Sequence, residues 1–201
     1  FLDSNIDKEQ NTTRFKTINH LNTLLKDIEL KENQLLVAMI DYTKYDLSSL
    51  PKVGKNSKIT GLRVAFRKSN FKEALEDMKI IIEKGYKLFV QPMSTSRYSD
   101  DDLDYLINKT NELNPYALYI VDTQGSIFPE NFKILFDSFY PKMNSNIKLG
   151  FHSHNNMQLS SDLSDLKIKH DKLTNTNKVN LENNDILSNK LDKVNSELTK
   201  T

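Results

Sequence analysis

A continuous apolar run, LLVAMI at residues 35–40, ends directly at Asp41. The run has the length of a strand, and an uninterrupted run of this kind is typical of a strand buried on both faces, as in a parallel sheet. Four further strand-like segments follow it, at residues 59–66, 87–90, 116–121 and 147–154. Together these segments predict five strands of an α/β fold.

Helical patterns separate the predicted strands. Apolar residues recur at three- and four-residue spacing over residues 17–30, which predicts an amphipathic helix. A second helix is predicted over residues 71–84 and ends at Gly85, a third runs from its cap at Ser99 to Leu113, and another begins at Pro129. Strands that alternate with helices of this length predict βαβ units and a parallel sheet.

Composition and charge exclude several classes of protein. The chain has 201 residues, 28 basic and 27 acidic side chains and a net charge of +1, so no overall field recruits nucleic acid or an anionic membrane. It has no cysteine, which excludes disulfides, thiolate metal sites and cysteine nucleophiles. No apolar run approaches the roughly 20 residues of a membrane-spanning helix, and no secretion signal opens the chain. We therefore expect a soluble cytoplasmic protein without nucleic-acid or membrane partners.

A histidine pair lies in the last predicted strand, within GFHSHNN at residues 150–156. His152 and His154 are two residues apart, so on a strand both side chains point the same way, while Leu149 and Phe151 point to the other face. That arrangement suits two imidazole ligands on one metal ion. A simple surface pair of histidines is the alternative.

Polar residues also lie at the carboxyl ends of the other predicted strands, where ligands bind in parallel βα folds. Alternatives to a ligand role stay open, because aspartates often cap the loops that follow strands and an arginine also pairs structurally with carboxylates. The candidate residues of this kind are Asp41, Arg63, Gln91 and Asp122.

Five segments resemble, in order and spacing, the metal-dependent HMGL-like (pyruvate carboxyltransferase domain) aldolases. This superfamily includes 3-hydroxy-3-methylglutaryl-CoA lyase, 4-hydroxy-2-oxovalerate aldolase and 2-isopropylmalate synthase. The resemblance covers residues 35–159 and is greatest for the 4-hydroxy-2-oxovalerate aldolase branch. The segments are MIDY (39–42), LRVAF (62–66), GYKLFVQPM (85–93), YIVDTQG (119–125) and GFHSHNN (150–156).

The resemblance implies a TIM (β/α)8 barrel, of which this chain is a part, and a site at its mouth. It implies His152 and His154 as metal ligands. It also implies catalytic roles for Asp122 and Arg63, and contacts with substrate for Asp41, Gln91 and Asn156.

The implied reaction cleaves a 4-hydroxy-2-oxo acid to pyruvate and an aldehyde. A divalent cation, Mn²⁺ or Mg²⁺ and not excluding Zn²⁺, acts as a Lewis acid that stabilises the enolate formed when the carbon–carbon bond breaks. The partners implied are a 2-oxo acid substrate and either a second copy of the chain or an enzyme that consumes the aldehyde. A Claisen-type acyltransferase of the 2-isopropylmalate synthase kind and a noncatalytic scaffold with an assembly tail are the alternatives.

Parts of the family pattern have no counterpart in this chain. Nothing in residues 1–34 matches the family's first strand, which carries an Asp-Arg-Glu type motif with a metal ligand, and the second and last strands are also missing. The chain is therefore expected to be either a piece of a longer enzyme or a degenerate member. We expect little or no lyase activity from these residues alone.

The chain is predicted to have three parts. Residues 1–34 form a leading helical segment, residues 35–160 the partial barrel domain, and residues 161–201 a polar tail that is helical or disordered. A heptad-like spacing at the end of the tail is compatible with one short coiled-coil seam of Leu187, Leu191, Val194 and Leu198. Two heptads are too few to establish a coiled coil, so a solvated, partly helical or disordered tail is the preferred interpretation.

Overall fold

The structure is a computed structural model that describes residues 1–6, 13–154 and 160–198, without the side chains of residues 160–165, 189 and 191–198. Five parallel strands form one sheet, in the order in which they occur along the chain. This confirms the predicted α/β fold. The sheet is open, as in part of a barrel. Its strands are β1 (Leu36–Asp41), β2 (Ile59–Phe66), β3 (Lys87–Pro92), β4 (Ala117–Val121) and β5 (Lys148–His152).

Helices occupy the connections between strands β2 to β5, as a parallel sheet requires. Two of them are separated only by Met78, and short 3-10 helices lie in several of the loops. The helices are α1 (Ile18–Leu24), α2 (Phe71–Asp77), α3 (Lys79–Glu83), α4 (Asp100–Leu113), α5 (Pro129–Phe139) and α6 (Ser160–Leu198).

Two helix predictions differ from the structure, one in length and one in continuity. The helix predicted over residues 17–30 ends at Leu24, and both Leu24 and Ile28 are exposed, so the apolar spacing beyond that point finds no packing surface. The single helix predicted over residues 71–84 is two helical segments, α2 and α3. Gly85 ends the second one with a φ of +88°, a conformation that glycine adopts without strain.

Helix α4 begins and ends as predicted. The Ser99 hydroxyl accepts a hydrogen bond from the Asp102 backbone N–H, and the Asp102 carboxylate accepts one from the Ser99 N–H, which forms a capping box. Three aspartates occupy the first turn, where the helix dipole favours negative charge. Asn114 ends the helix in the left-handed conformation.

The strand register divides the sheet into two faces. One row of apolar residues is paired across all five strands and is almost completely buried, which identifies the face covered by helices, hereafter the outer face: Ile40, Val64, Val90, Leu118 and Leu149. The phenylalanines of α5 pack there, and Phe132 lies 4.5 Å from Phe151 of β5 between ring centroids. Side chains in alternate positions, beginning with Met39, Arg63 and Phe89, lie on the opposite, inner face.

The leading segment, residues 1–34, contains sheet pairing as well as α1. Leu2 forms parallel bridges with both Ile40 and Phe15, and its N–H donates to the Met39 carbonyl at 2.8 Å. Leu2 is buried. This short stretch therefore covers part of the β1 edge, which would otherwise present unpaired backbone groups.

The chain divides into two compact units, Phe1–Ser160 and Ser161–Thr201. The first contains the sheet and helices α1 to α5, and the second contains nearly all of α6. None of the helices in the described part of the chain combines the length and apolar character that a bilayer crossing demands.

Gly150 makes room for an aromatic ring on the inner face. A Cβ at this position would lie 2.5 Å from Cε1 of Tyr119, its neighbour in the register of β4 and β5. We expect Gly150→Ala to lower the free energy of unfolding by about 1–3 kcal/mol, since the ring must move to admit the methyl group. Urea denaturation measures the loss.

Gly54→Ala is the matched control, because the nearest atom to a Cβ there is 3.8 Å away. Its free energy of unfolding should stay within about 0.5 kcal/mol of that of the unmodified chain. Equal losses from the two substitutions would show that the Tyr119 ring does not occupy the space above Gly150.

Candidate active site

Four consecutive strands place polar side chains on the inner face, in the middle of β2 and β4 and at the carboxyl ends of β3 and β5. We call Arg63 of β2, Gln91 of β3, Tyr119 of β4 and His152 of β5 the inner-face cluster. The register sets these residues in successive rows, because Arg63 pairs with Phe89, two residues before Gln91. Tyr119 pairs with Gly150, two residues before His152. The cluster therefore follows from strand alternation on four strands.

Gln91 contacts the imidazole of His152 directly. Its amide Nε2 is hydrogen-bonded to Nδ1 of the ring, and the amide Oε1 is buried without a hydrogen-bond partner. In this orientation Nδ1 is the acceptor, so the proton of a neutral ring lies on Nε2. A half-turn of the amide lets Oε1 accept from Nδ1–H and leaves the Nε2 lone pair free. Gln91 was predicted to contact substrate, whereas the contact that the structure provides is with His152.

Arg63 lies over the ring of Tyr119. Its guanidinium carbon is 5.5 Å from the ring centroid, within the range of a cation–π interaction. Nε of Arg63 is buried and has no hydrogen-bond partner. The side chain is thus held by packing and ring electrostatics, and its Nε–H donor is unused.

The surroundings of His152 favour its neutral form. Partial burial lowers the pKa of His152 below the usual histidine value, and the positive charge of Arg63 and the neighbouring His154 lower it further. Neutral imidazole is the form that coordinates a metal or accepts a proton.

His154 lies outside the sheet. The last strand was predicted to include it, but β5 ends at His152, and His154 follows in irregular, exposed backbone. The sheet register therefore orients only His152. The two rings are nevertheless 5.5 Å apart between centroids, edge to face. One ion about 2.1 Å from a nitrogen of each ring requires a separation of about 5 Å, so the spacing fits a shared cation.

Asp122 caps the loop that follows β4. Its buried carboxylate accepts hydrogen bonds from the backbone N–H groups of Ser126, at 2.9 Å, and Ile127, at 3.2 Å. Its own N–H donates to the His152 carbonyl at 2.9 Å. The structure therefore supports the capping alternative for Asp122, and it joins this residue to β5 through the backbone.

Asp41 also caps a loop. Its carboxylate accepts from the Thr43 N–H at 3.3 Å and the Thr43 hydroxyl at 3.0 Å, and it lies 3.9 Å from Nη1 of Arg67. It occupies the same register row as Gln91, two strands away, which is about 10 Å. The structure brings together Arg63, Gln91 and the histidines, but it gives no contact between them and the Asp41 carboxylate.

Asn156, which was predicted to contact substrate, lies outside the described residues. Within the described part of the chain, no three histidine, cysteine, aspartate or glutamate side chains are grouped closely enough to hold a metal ion. Of the predicted metal ligands, the described residues thus bring together the two imidazoles, whose role as ligands stays a prediction.

Tyr119 was not predicted as part of the site. Its segment is apolar throughout, so the sequence does not show which residues of this strand face the helices. The available signal was its neighbour in the last strand, because a glycine on the site face of that strand leaves room for a large side chain on the adjacent strand.

No protein-family model matches this sequence, and no curated protein does either. A solved structure with a similar fold is described as "Crystal structure of the N-terminal domain of a putative aldolase from Bacteroides vulgatus". The TM-score is 0.60 at 18% sequence identity, and the match covers 77% of this chain and 51% of that chain. The chain therefore spans about half the length of the structure that it matches, and the likeness shows the fold.

The capping role of Asp122 can be tested by mutation. We expect Asp122→Ala to lower the free energy of unfolding by about 1–3 kcal/mol, because it leaves buried backbone N–H groups unpaired. Asp46→Ala is the control, since Asp46 makes a similar loop cap through Ser48 but is exposed, so water replaces the lost bonds. Equal losses in urea denaturation would contradict a special role for the buried carboxylate.

The influence of Arg63 on His152 can be measured in the metal-free protein. Arg63→Met removes a positive charge that opposes protonation, so we expect the pKa of His152 to rise. Arg67→Met, which removes an exposed arginine next to Asp41, should leave it unchanged. The pKa of His152 in each variant is measured by NMR titration of the histidine Cε1–H signals, which are assigned with His152→Gln. A pKa unmoved by Arg63→Met would place the guanidinium away from the ring.

Proposed function

We propose that this chain is part of a divalent-metal-dependent carbon–carbon lyase of the HMGL-like kind, which cleaves a 4-hydroxy-2-oxo acid to pyruvate and an aldehyde. The observation that carries the proposal is the inner-face cluster, in which four consecutive parallel strands direct polar side chains to the same face of the sheet. Support comes from the resemblance of five sequence segments to these aldolases and from the similarity of the fold to the Bacteroides vulgatus domain.

His152 and His154 would hold the cation. Their spacing suits one shared ion, and the lowered pKa of His152 keeps its ring in the form that coordinates. When bound, a divalent cation supplies Lewis acidity that stabilises negative charge on the oxygen of a 2-oxo acid. Imidazole nitrogens suit Mn²⁺ and Zn²⁺, and Mg²⁺ would draw on oxygen ligands in addition.

Gln91 positions His152 for that role. A metal-bound histidine usually donates its other ring N–H to a fixed acceptor, which sets the ring orientation and the tautomer. The amide of Gln91 is buried against Nδ1, and its Oε1 has no other partner, so it can provide this acceptor after a half-turn. The Nε2 lone pair of His152 is then available to the cation.

Arg63 would bind the substrate carboxylate. Strand alternation puts it on the same face of the sheet as His152, whose pKa its charge lowers, and its Nε–H donor is unused. An arginine binds a carboxylate through two parallel N–H donors, and an Nε–H with one terminal N–H forms such a pair. The guanidinium also lies over the ring of Tyr119, 5.5 Å from its centroid.

The aspartates have supporting roles in this scheme. Asp122 and Asp41 hold the loops that follow β4 and β1, at the edge of the sheet where substrate would enter. Asn156, which follows the histidines in sequence, remains a proposed substrate contact.

A noncatalytic protein is the second candidate, and one observation favours it. The described residues bring together two nitrogen ligands and no grouped third acidic or histidine ligand. Two imidazoles alone bind a divalent cation weakly, so we propose that these residues by themselves turn over substrate slowly or not at all.

A metal titration tests the proposed site. We expect Mn²⁺ to bind the chain at one site, followed by the EPR signal of free Mn²⁺, and His152→Ala to abolish that binding. Gln91→Leu should weaken it by about 10–100-fold, since it removes the partner that orients the ring. His20→Ala is the control, because His20 lies in α1.

Two results would contradict the proposal. One is Mn²⁺ binding that survives His152→Ala, and the other is an equal loss with His20→Ala. The reaction itself is assayed by pyruvate release from a 4-hydroxy-2-oxo acid in the presence of Mn²⁺. Because little turnover is expected from these residues alone, it is the absence of Mn²⁺ binding, and not the absence of turnover, that would favour the noncatalytic candidate.

A further inference from the structure

Helix α6 exposes large apolar side chains along its length. It has 39 residues, and its described side chains include six exposed aliphatic ones: Ile168, Leu173, Val179, Leu181, Ile186 and Leu187. A helix obtains most of its stability from packing an apolar face against a partner, and a unit of about 40 residues seldom folds without help from metals, disulfides or oligomerisation. The apolar side chains of α6 therefore call for a packing partner, and the order of its residues indicates which one.

The sequence of α6 carries a heptad repeat longer than the predicted seam. If Leu163 is an a position, seven of the eleven a and d positions up to Leu198 are Leu or Val. The a positions are Leu163, His170, Asn177, Asn184, Leu191 and Leu198, and the d positions are Leu166, Leu173, Asn180, Leu187 and Val194. A two-stranded coiled coil buries these two positions.

The middle of the repeat identifies the partner as a second copy. Asn177, Asn180 and Asn184 would lose hydrogen bonds against the apolar face of an unrelated helix, at a cost for each amide. In a parallel pair of identical helices in register, each asparagine faces its own counterpart and the two amides bond to each other. A single asparagine at an a position is known to specify register and oligomer state at a cost in stability, and this repeat has two such positions, Asn177 and Asn184.

Charges at the flanking positions permit the same pairing. In a parallel dimer, each g position meets the e position five residues later on the other helix. Asp162 then meets Lys167, an opposite-charge pair, and none of the other g–e pairs along α6 joins like charges. The tail from residue 160 onward has seven lysines and seven acidic residues, so two copies do not repel each other.

We infer that α6 pairs with α6 of a second copy in a parallel, two-stranded coiled coil, which makes the protein a homodimer. This interface does not depend on the metal site or on the proposed reaction. The side chains that it buries in the described part of α6 include Leu173 and Leu187, both now exposed.

The solution mass of the full chain tests the inference. Sedimentation equilibrium at micromolar concentrations should give twice the 23.3 kDa of one chain. Leu187→Glu places like charges in the buried seam and should raise the dissociation constant about 100-fold or more. Ile186→Glu is the matched control, because Ile186 is 51% exposed against 61% for Leu187 but occupies a c position, outside the seam. It should leave the dimer intact.

A monomer or a trimer for the unmodified chain would overturn the inference. Equal increases of the dissociation constant for Leu187→Glu and Ile186→Glu would also overturn it, because they would indicate non-specific association through exposed apolar side chains. Helix content from circular dichroism shows whether either variant loses α6 for another reason.

Disulfide formation tests the orientation of the two helices. Because the chain has no cysteine, Leu173→Cys introduces the only thiol, and at a d position it should crosslink two chains on mild oxidation. Lys172→Cys, one residue away at a c position, should not. In an antiparallel pair the two copies of residue 173 lie roughly 20 Å apart, so failure of Leu173→Cys to crosslink would rule out the parallel dimer.

Discussion

The hydrogen-bonded register of five parallel strands is the constraint on which the rest of the structure depends. Once Ile40, Val64 and Val90 pair in one row against the helices, strand alternation sends Arg63 and Gln91 to the other face. A shift of one residue in any strand would exchange these sets and bury charge under the helices. The apolar core of the outer face and the polar site of the inner face are therefore consequences of a single pairing pattern.

The polar side chains predicted for the site fall into two groups that differ in their hydrogen bonding. The carboxylates of Asp41 and Asp122 accept hydrogen bonds from backbone N–H groups, which stabilises the loops that follow β1 and β4. In contrast, Arg63 and Gln91 each leave a buried polar atom without a partner. Buried polar groups are nearly always hydrogen-bonded, and one without a partner lowers the free energy of unfolding. The unpaired buried atoms also include the hydroxyls of Tyr98 and Thr110, but Gln91 is hydrogen-bonded to His152 and the charge of Arg63 acts on it, which is why we propose the site there.

The second unit differs from the sheet in the exposure of its apolar side chains. The sheet buries its own apolar residues, whereas α6 leaves aliphatic side chains exposed and has a polar middle. Such a helix specifies a partner through the order of its residues, and the asparagines narrow that choice to an identical helix in register. The proposed dimer interface and the proposed metal site thus lie in different units of the chain. A substitution in α6 can therefore test the dimer interface without changing the residues of the metal site.

Sequence alone determined which segments are strands and helices, because alternation, capping residues and apolar runs act over a few neighbours. It also placed Gln91 and His152 at the carboxyl ends of their strands. It did not show where the helix after residue 17 ends, since that depends on the packing surface available to Leu24 and Ile28. The contact of Gln91 with His152, residues 61 positions apart, was decided only by the tertiary structure, because side chains on different strands meet according to register and the space left by residues such as Gly150.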